Sequence, residues 1–199
     1  MSYHIYTTEG YVLKGIPTGE ADKYFQIFTK ELGLIFANAK SVRSIKSKLS
    51  PSLRDFSSGE FSFIKGKNRW KITHAVSPIN YYDLFREDKD KLLVCGRVFA
   101  FLPVCIAGEE INKTLFTVVD SAFTFLKNST ISKEQIFLFE CMLMLRILFH
   151  LGYVAPSPEY KEILEDERWD DAVFEQALIL KPKLVREINH ALKESQMSL

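Results

Sequence analysis

Between Glu31 and Asp55 the chain carries five cations, Lys40, Arg43, Lys46, Lys48 and Arg54, and no acid. Serines at 41, 44, 47, 50 and 52 interleave with them. Ammonium and guanidinium groups neutralise phosphate and hydroxyls donate hydrogen bonds beside them, so this composition suits an exposed loop that holds a polyanionic backbone. A solvated loop without a ligand has the same composition, and charge alone does not separate the two. Around Trp169 the sign reverses: Glu162, Glu165, Asp166, Glu167, Asp170 and Asp171 crowd a proline-containing connector. These carboxylates lie on no glycine-containing loop with calcium-ligand spacing, which favours a solvated acidic face over a metal or acid/base site.

Other chemistries find little to work with. Cys95, Cys105 and Cys141 are odd in number, widely spaced and set in apolar sequence, as expected of reduced, buried thiols compatible with a cytosol. There is no CxxC pair, and His4, His74, His150 and His190 are scattered, so no zinc site and no other cofactor is expected. GxxxxGK[ST], GxGxxG, GxSxG and HExxH are all absent, which argues against an enzyme. The N-terminal residues lack a basic-then-apolar leader pattern, and nothing points to export.

The elements that must position the basic run can be read from hydrophobic texture. Through residue 77 the chain is a series of short aromatic and β-branched runs, YHIY, GYVLKGI, KYFQIFT, GLIFANA, GEFSFIKG and RWKITHAV. Gly15, the 17–19 turn, Gly33, Gly59 and the turn at Gly66, Lys67 and Asn68 divide them. Five or six strands in so short a span fit a small closed barrel, since closure removes exposed edges. Phe61 and Phe63 fall on one face of their strand, with Lys65, Lys67, Trp70 and Lys71 following, so the rings are either barrel core or a platform for stacking bases.

After Pro78 the apolar residues recur at helical spacing. Helices are predicted over 82–106 with a break or kink at Pro103, over 109–127 with two acids at its start, and from Ser132 as N-cap to Gly152. Two more follow, over 171–180 and 182–194, the second opening on Pro182. The apolar run 136–149 is too short for a bilayer and holds Glu140 and Arg146, so it is a central bundle helix rather than a membrane span. Residues 1–80 hold 12 Lys and Arg against 6 Asp and Glu, while residues 81–199 hold 14 against 19, a contrast that the net charge of +1 hides.

Over residues 9–155 the chain resembles the bacterial recombination and repair family RecO. The features that carry this are Val12-Leu13-Lys14, then Gly19 to Lys23, Thr29 with Glu31-Leu32-Gly33, and Ala39-Lys40 leading into the basic run. Pro51-Ser52-Leu53 with Phe56, the stretch 84–88 and Leu151-Gly152-Tyr153 extend it. The resemblance implies an α+β chain, with a five-stranded OB-fold barrel over 1–80 followed by an α-helical bundle over 81–199. It further implies a cytoplasmic, non-enzymatic DNA repair mediator that binds single- and double-stranded DNA, anneals strands, binds RecR and the tail of the single-strand-binding protein SSB, and helps load RecA. Many members carry a four-cysteine zinc module after the leucine-glycine helix end. Here that region is the acidic connector, without a cysteine, so the zinc module is expected to be missing.

On this reading DNA is held by Lys14, Lys23, Lys40, Arg43, Lys46, Lys48 and Arg54. A second reading makes the chain a protein-interaction adaptor whose helices capture an SSB tail or RecR, with Arg97, Lys127 and Arg146 as the available cations. A third makes it an RNA-binding OB-fold protein, because a barrel sequence does not distinguish ribose from deoxyribose.

Overall fold

The computed structural model describes residues 4–67, 69–165 and 168–195. Asn68 of the anticipated turn and Asp166 and Glu167 of the acidic connector lie outside the described residues. The chain divides into two compact units. One holds the residues through Cys95 together with Ile106–Lys113, and the other Gly96–Cys105 and the chain from Thr114 onward.

The first unit is a closed five-stranded barrel. Its strands are β1 (Ile5–Thr18), β2 (Asp22–Thr29), β3 (Gly33–Ala39), β4 (Ser57–Lys65) and β5 (Trp70–Asn80), in the order β1-β2-β3-β5-β4. All neighbours are antiparallel except β3 and β5, which pair in parallel through Ala37 with Trp70 and Asn38 with Lys71. This is the OB-fold barrel expected from the sequence. Ile5 and Tyr6 of the run YHIY continue into GYVLKGI as a single 14-residue strand, however, and Tyr3 of that run lies outside the described residues. Gly10 lets it pass close to β2, since a Cβ there would stand 3.0 Å from the Phe28 carbonyl. A bulge between Val12 and Lys14 bends it from one partner to the other, as barrel strands require.

Alternation decides what fills the barrel. Val12, Phe25, Ile27, Ile35, Ala37, Phe61, Phe63, Trp70 and Ile72 point inward and form one buried cluster. Phe61, Phe63 and Trp70 are therefore core, the reading that the burial preference of aromatics favours over a stacking platform. Two residues from the 40–56 connection, Val42 and Leu53, join the same cluster.

The predicted helix over 109–127 begins later than the two acids indicated. Residues 106–113 pack on the barrel instead, and the helix α3 spans Lys113–Asn128. Glu109 accepts hydrogen bonds from Lys65 Nζ at 2.8 Å and Trp70 Nε1 at 2.9 Å. Leu34 N–H donates to the Gly108 carbonyl at 3.0 Å, and Lys113 pairs with Glu31 at 2.6 Å. A carboxylate with two such donors gains more from them than from a helix dipole at an exposed N-terminus.

The helix expected over 82–106 is two: α1 (Tyr81–Phe85), capped by the Asn80 side chain, and α2 (Lys89–Cys105). Pro103 lies inside α2, within its last turn, rather than breaking it. In the second unit α4 (Lys133–His150) has the expected capping box between Ser132 and Gln135, and Gly152 follows at φ +80°. A short α5 (Lys161–Glu165) precedes α6 (Asp171–Glu194), which runs unbroken through Pro182. The predicted pair of helices merges because one apolar stripe, Phe174, Ala177, Leu184, Ile188 and Ala191, continues across the proline against α4. Among the described residues no helix is long and apolar enough to cross a membrane.

Gly33 is the tightest point of the 106–113 packing. It has φ +69°, and a Cβ would lie 2.4 Å from the Glu110 carbonyl oxygen. Gly33→Ala should cost about 2–4 kcal/mol in denaturant unfolding, from left-handed strain plus displaced backbone. A loss under about 0.5 kcal/mol, the range of neutral surface changes, would contradict this packing.

Lys65 and the Trp70 indole hold the Glu109 carboxyl below its usual range. A depressed carboxyl stabilises the fold at neutral pH and ceases to do so as pH falls through its folded value. The melting temperature of Glu109→Gln should therefore lie furthest below that of the parent near neutrality, with the gap closing on acidification. A gap that is constant with pH would remove Glu109 from this role.

Candidate nucleic-acid interface

The connection 40–56 between β3 and β4 contains only turns, yet both of its ends are tied to the barrel. At its start Ser41 N–H donates to Asp22 Oδ1 at 2.7 Å and Arg43 N–H to the Ala21 carbonyl at 2.9 Å. At its end Phe56 N–H donates to the Val12 carbonyl at 2.9 Å, and Asp55 Oδ1 accepts from Gly15 N–H at 2.9 Å. Val42 and Leu53 are sunk in the barrel core and Leu49 packs against it. The loop is thus a strap across one end of the barrel, and its polar residues have only the outside left to face.

That arrangement gathers most of the sequence-selected cations. Lys40, Arg43, Lys46 and Lys48 are exposed along the strap. Lys23 stands opposite Ala39 in the β2–β3 ladder, next to Lys40 in the chain, and its ammonium lies 6.0 Å from the Phe25 ring centre. The Arg43 guanidinium donates to the Gly19 carbonyl at 3.3 Å, which draws it toward the β1–β2 turn. Among the described residues none of Lys14, Lys23, Lys40, Arg43, Lys46 and Lys48 is engaged in an ion pair.

Arg54 differs. Its guanidinium grips Asp83 with two bonds, at 2.6 and 2.9 Å, which raises its own pKa and lowers that of Asp83. The acid that neutralises it lies 29 residues away, which is why the 33–54 run reads as wholly unpaired from sequence.

Beside the strap is the outer face of β1, β2 and β3, and in OB-fold barrels the face of strands 2 and 3, with the loops that follow strands 1 and 4, holds oligonucleotides. Register aligns two outward rows across it. Lys14, Gln26 and Phe36 form one, and Ile16, Tyr24, Asn38 and Lys71 the other. Phe36 is 51% exposed although it is aromatic. Arg69, from the β4–β5 turn, lays its guanidinium 5.3 Å from the Tyr24 ring centre and donates to the phenol oxygen. Flat rings and a guanidinium plane, flanked by cations, are what stacking bases and neutralising phosphates need. Sequence reasoning missed Tyr24, Phe36 and Arg69. The available signal was parity, since Tyr24 alternates with Phe25 and Ile27, and Phe36 with Ile35 and Ala37.

The cations assigned to a partner surface separate in the second unit. Arg146 is 1% exposed: its Nε donates to the Ile163 carbonyl at 2.7 Å, Nη2 to the Arg168 carbonyl at 3.2 Å, and the guanidinium stacks 4.2 Å from the Trp169 ring centre. It is a packing element of the helical core, with nothing to offer at the surface. Lys127 is exposed in the last turn of α3. Arg97 is exposed and donates to both carboxylate oxygens of Glu140, at 3.1 and 2.9 Å. This pair rims a cavity of about 190 Å³ lined by Phe137, Cys141, Met144, Val185 and Ile188. Among the described residues no group of three or more His, Cys, Asp or Glu is placed to hold a metal ion. The three cysteines are free and buried, and burial pushes Cys105 up to about 12 and Cys141 up to about 11.

Residues 1–85 match a family model described as recombination protein O N terminal. The DNA repair protein RecO of Thermodesulfovibrio yellowstonii is 34% identical over 157 residues, 78% of this chain and 60% of that protein. Those of Clostridium acetobutylicum and Alkaliphilus metalliredigens are 30% and 31% identical, over 75% and 69% of this chain and 59% and 56% of their own lengths. The resemblance to RecO read from the sequence therefore holds, and the chain spans under two thirds of the length of these curated relatives.

Proposed function

Residues 1–85 belong to the recombination protein O N-terminal family, and from that premise we propose that the chain is a DNA-binding recombination mediator in DNA repair. The barrel domain, residues 1–80, binds single-stranded DNA, accepts duplex as well, and brings complementary strands together for annealing. The helical domain, residues 81–199, serves RecR and SSB in loading RecA. The work is binding rather than bond chemistry and takes place on chromosomal DNA in the cytoplasm.

One observation carries this reading. Among the described residues, Lys23, Lys40, Arg43, Lys46 and Lys48 are in no ion pair on and beside a tied strap, next to a sheet face bearing Tyr24 and a half-exposed Phe36. Cations without partners are available to phosphate, and their number fixes the salt dependence. Each neutralised phosphate contributes roughly 0.7 to the slope of log affinity against log salt for a single strand. Reversal of Lys40, Arg43 and Lys46 to Glu should flatten that slope by about two units. Binding of a fluorescent oligonucleotide across a salt series measures it, and an unchanged slope excludes the strap.

Stacking separates the two sets of aromatics. Phe36→Ala should weaken oligonucleotide binding by about 1–3 kcal/mol while leaving the melting temperature nearly unchanged. Phe61→Ala, in the core, should instead lose about 3–5 kcal/mol of stability. If Phe36→Ala binds as tightly as the parent, the outer face is not the platform.

The adaptor reading is favoured by the cavity beside Arg97, which offers an apolar floor and one cation at its rim to an acidic tail ending in an apolar residue. Glu140 competes for that cation, so Glu140→Ala should tighten binding of a labelled SSB tail peptide and Arg97→Ala should weaken it. Absence of measurable binding at high micromolar peptide would leave the DNA role alone.

A further inference from the structure

The strap sorts its aliphatic residues in an uneven way. Val42 and Leu53 are buried in the barrel and Leu49 packs against it, yet Ile45 is 104% exposed. It follows one turn, closed by Ser44 N–H to the Ser41 carbonyl at 3.1 Å, and lies within the next, closed by Ser47 N–H to the Ser44 carbonyl at 2.9 Å. Arg43, Lys46 and Lys48 flank it within three positions, and none of them is in an ion pair among the described residues.

We propose that Ile45 is a wedge that enters the base stack of the strand held by the strap and opens one base step. The inference rests on the nucleic-acid reading above and adds to it what the strap does to the strand. Proteins that unstack bases insert an apolar side chain, isoleucine among them, between base steps and bring basic side chains to the same contact. Ile45 meets both conditions: a branched aliphatic tip of suitable thickness, and cations before and after it in the chain. A protein partner is the poorer match, because a lone aliphatic residue among three cations presents little apolar area and a strong positive field. An opened step is also the state in which a base is free to find a complement, which gives the wedge a place in annealing.

The test uses the full chain and a single-stranded oligonucleotide carrying 2-aminopurine between adenines, whose emission rises when its neighbours unstack. At saturation the parent should raise emission about twofold, and Ile45→Ala should abolish most of that rise with affinity changed by less than about twofold, since phosphate contacts dominate binding. Ile45→Phe, a larger wedge, should restore it. Because Ile45 touches no core, neither change should move the melting temperature. Equal emission with the parent and Ile45→Ala, at equal saturation, overturns the wedge while leaving the binding reading intact. A parent that fails to bind at low salt overturns both. Loss of self-association in sedimentation on Ile45→Ala, with emission unchanged, makes Ile45 a contact between copies and likewise overturns the wedge.

Discussion

Closure of the barrel end by Val42 and Leu53 is the constraint on which the basic surface depends. Each apolar side chain removed from water at that position contributes roughly 1.5–3 kcal/mol, and each also fixes the direction of the chain beside it. With 42 and 53 pointing in and the two ends bonded to the β1–β2 turn and to β1, the residues between them form an outward bow. Lys46 and Lys48 are displayed because the strap is held, and without those anchors the same charges would sit on a loop whose ordering would have to be supplied by the ligand.

Strand count, barrel closure and the main helices were legible in the sequence because period-2 and period-3.6 patterns are local properties. The capping box at Ser132 and the stop at Gly152 were legible for the same reason. What failed involved a partner distant in sequence. Glu109 and Glu110 look like a helix start until Lys65 and Trp70 are seen beside Glu109. Pro182 looks like a boundary until α4 is seen to pack along the whole of α6. Arg146 looks like a surface cation on a bundle helix until Trp169 and the Ile163 carbonyl close over it. The basic run was found from composition, whereas the aromatic face required knowing which side of β2 and β3 faces out.

The first unit also distributes its acids in a way that sharpens its field. Glu9 pairs with Lys30, Glu31 with Lys113, Asp83 with Arg54 and Glu109 with Lys65. Asp22 and Asp55, nearest to the strap, accept from backbone N–H groups rather than from its cations. Four carboxylates are therefore matched to cations elsewhere on the unit, while Asp22 and Asp55 are occupied in tying the strap down. Among the described residues without an ion pair, Lys23, Lys40, Arg43, Lys46 and Lys48 lie together on and beside the strap, while Lys14, Lys67 and Lys71 lie on β1, in the β4–β5 turn and on β5.

That concentration has a consequence for specificity. Lysines and an arginine on a turn-rich strap meet phosphate at varied angles and read no base edge, and stacking on Phe36 or Tyr24 accepts any base through its π-face. On the proposed reading, a surface made of these two parts would hold strands without regard to their sequence. On that proposal selectivity among partners would come from chemistry of another kind, such as the apolar cavity rimmed by the Arg97 guanidinium offers. The Arg97–Glu140 pair at its rim works in the same direction. A cation already matched to a carboxylate favours a ligand that brings its own acid together with an apolar group for the cavity, and on the proposed reading a bare polyanion would gain little there.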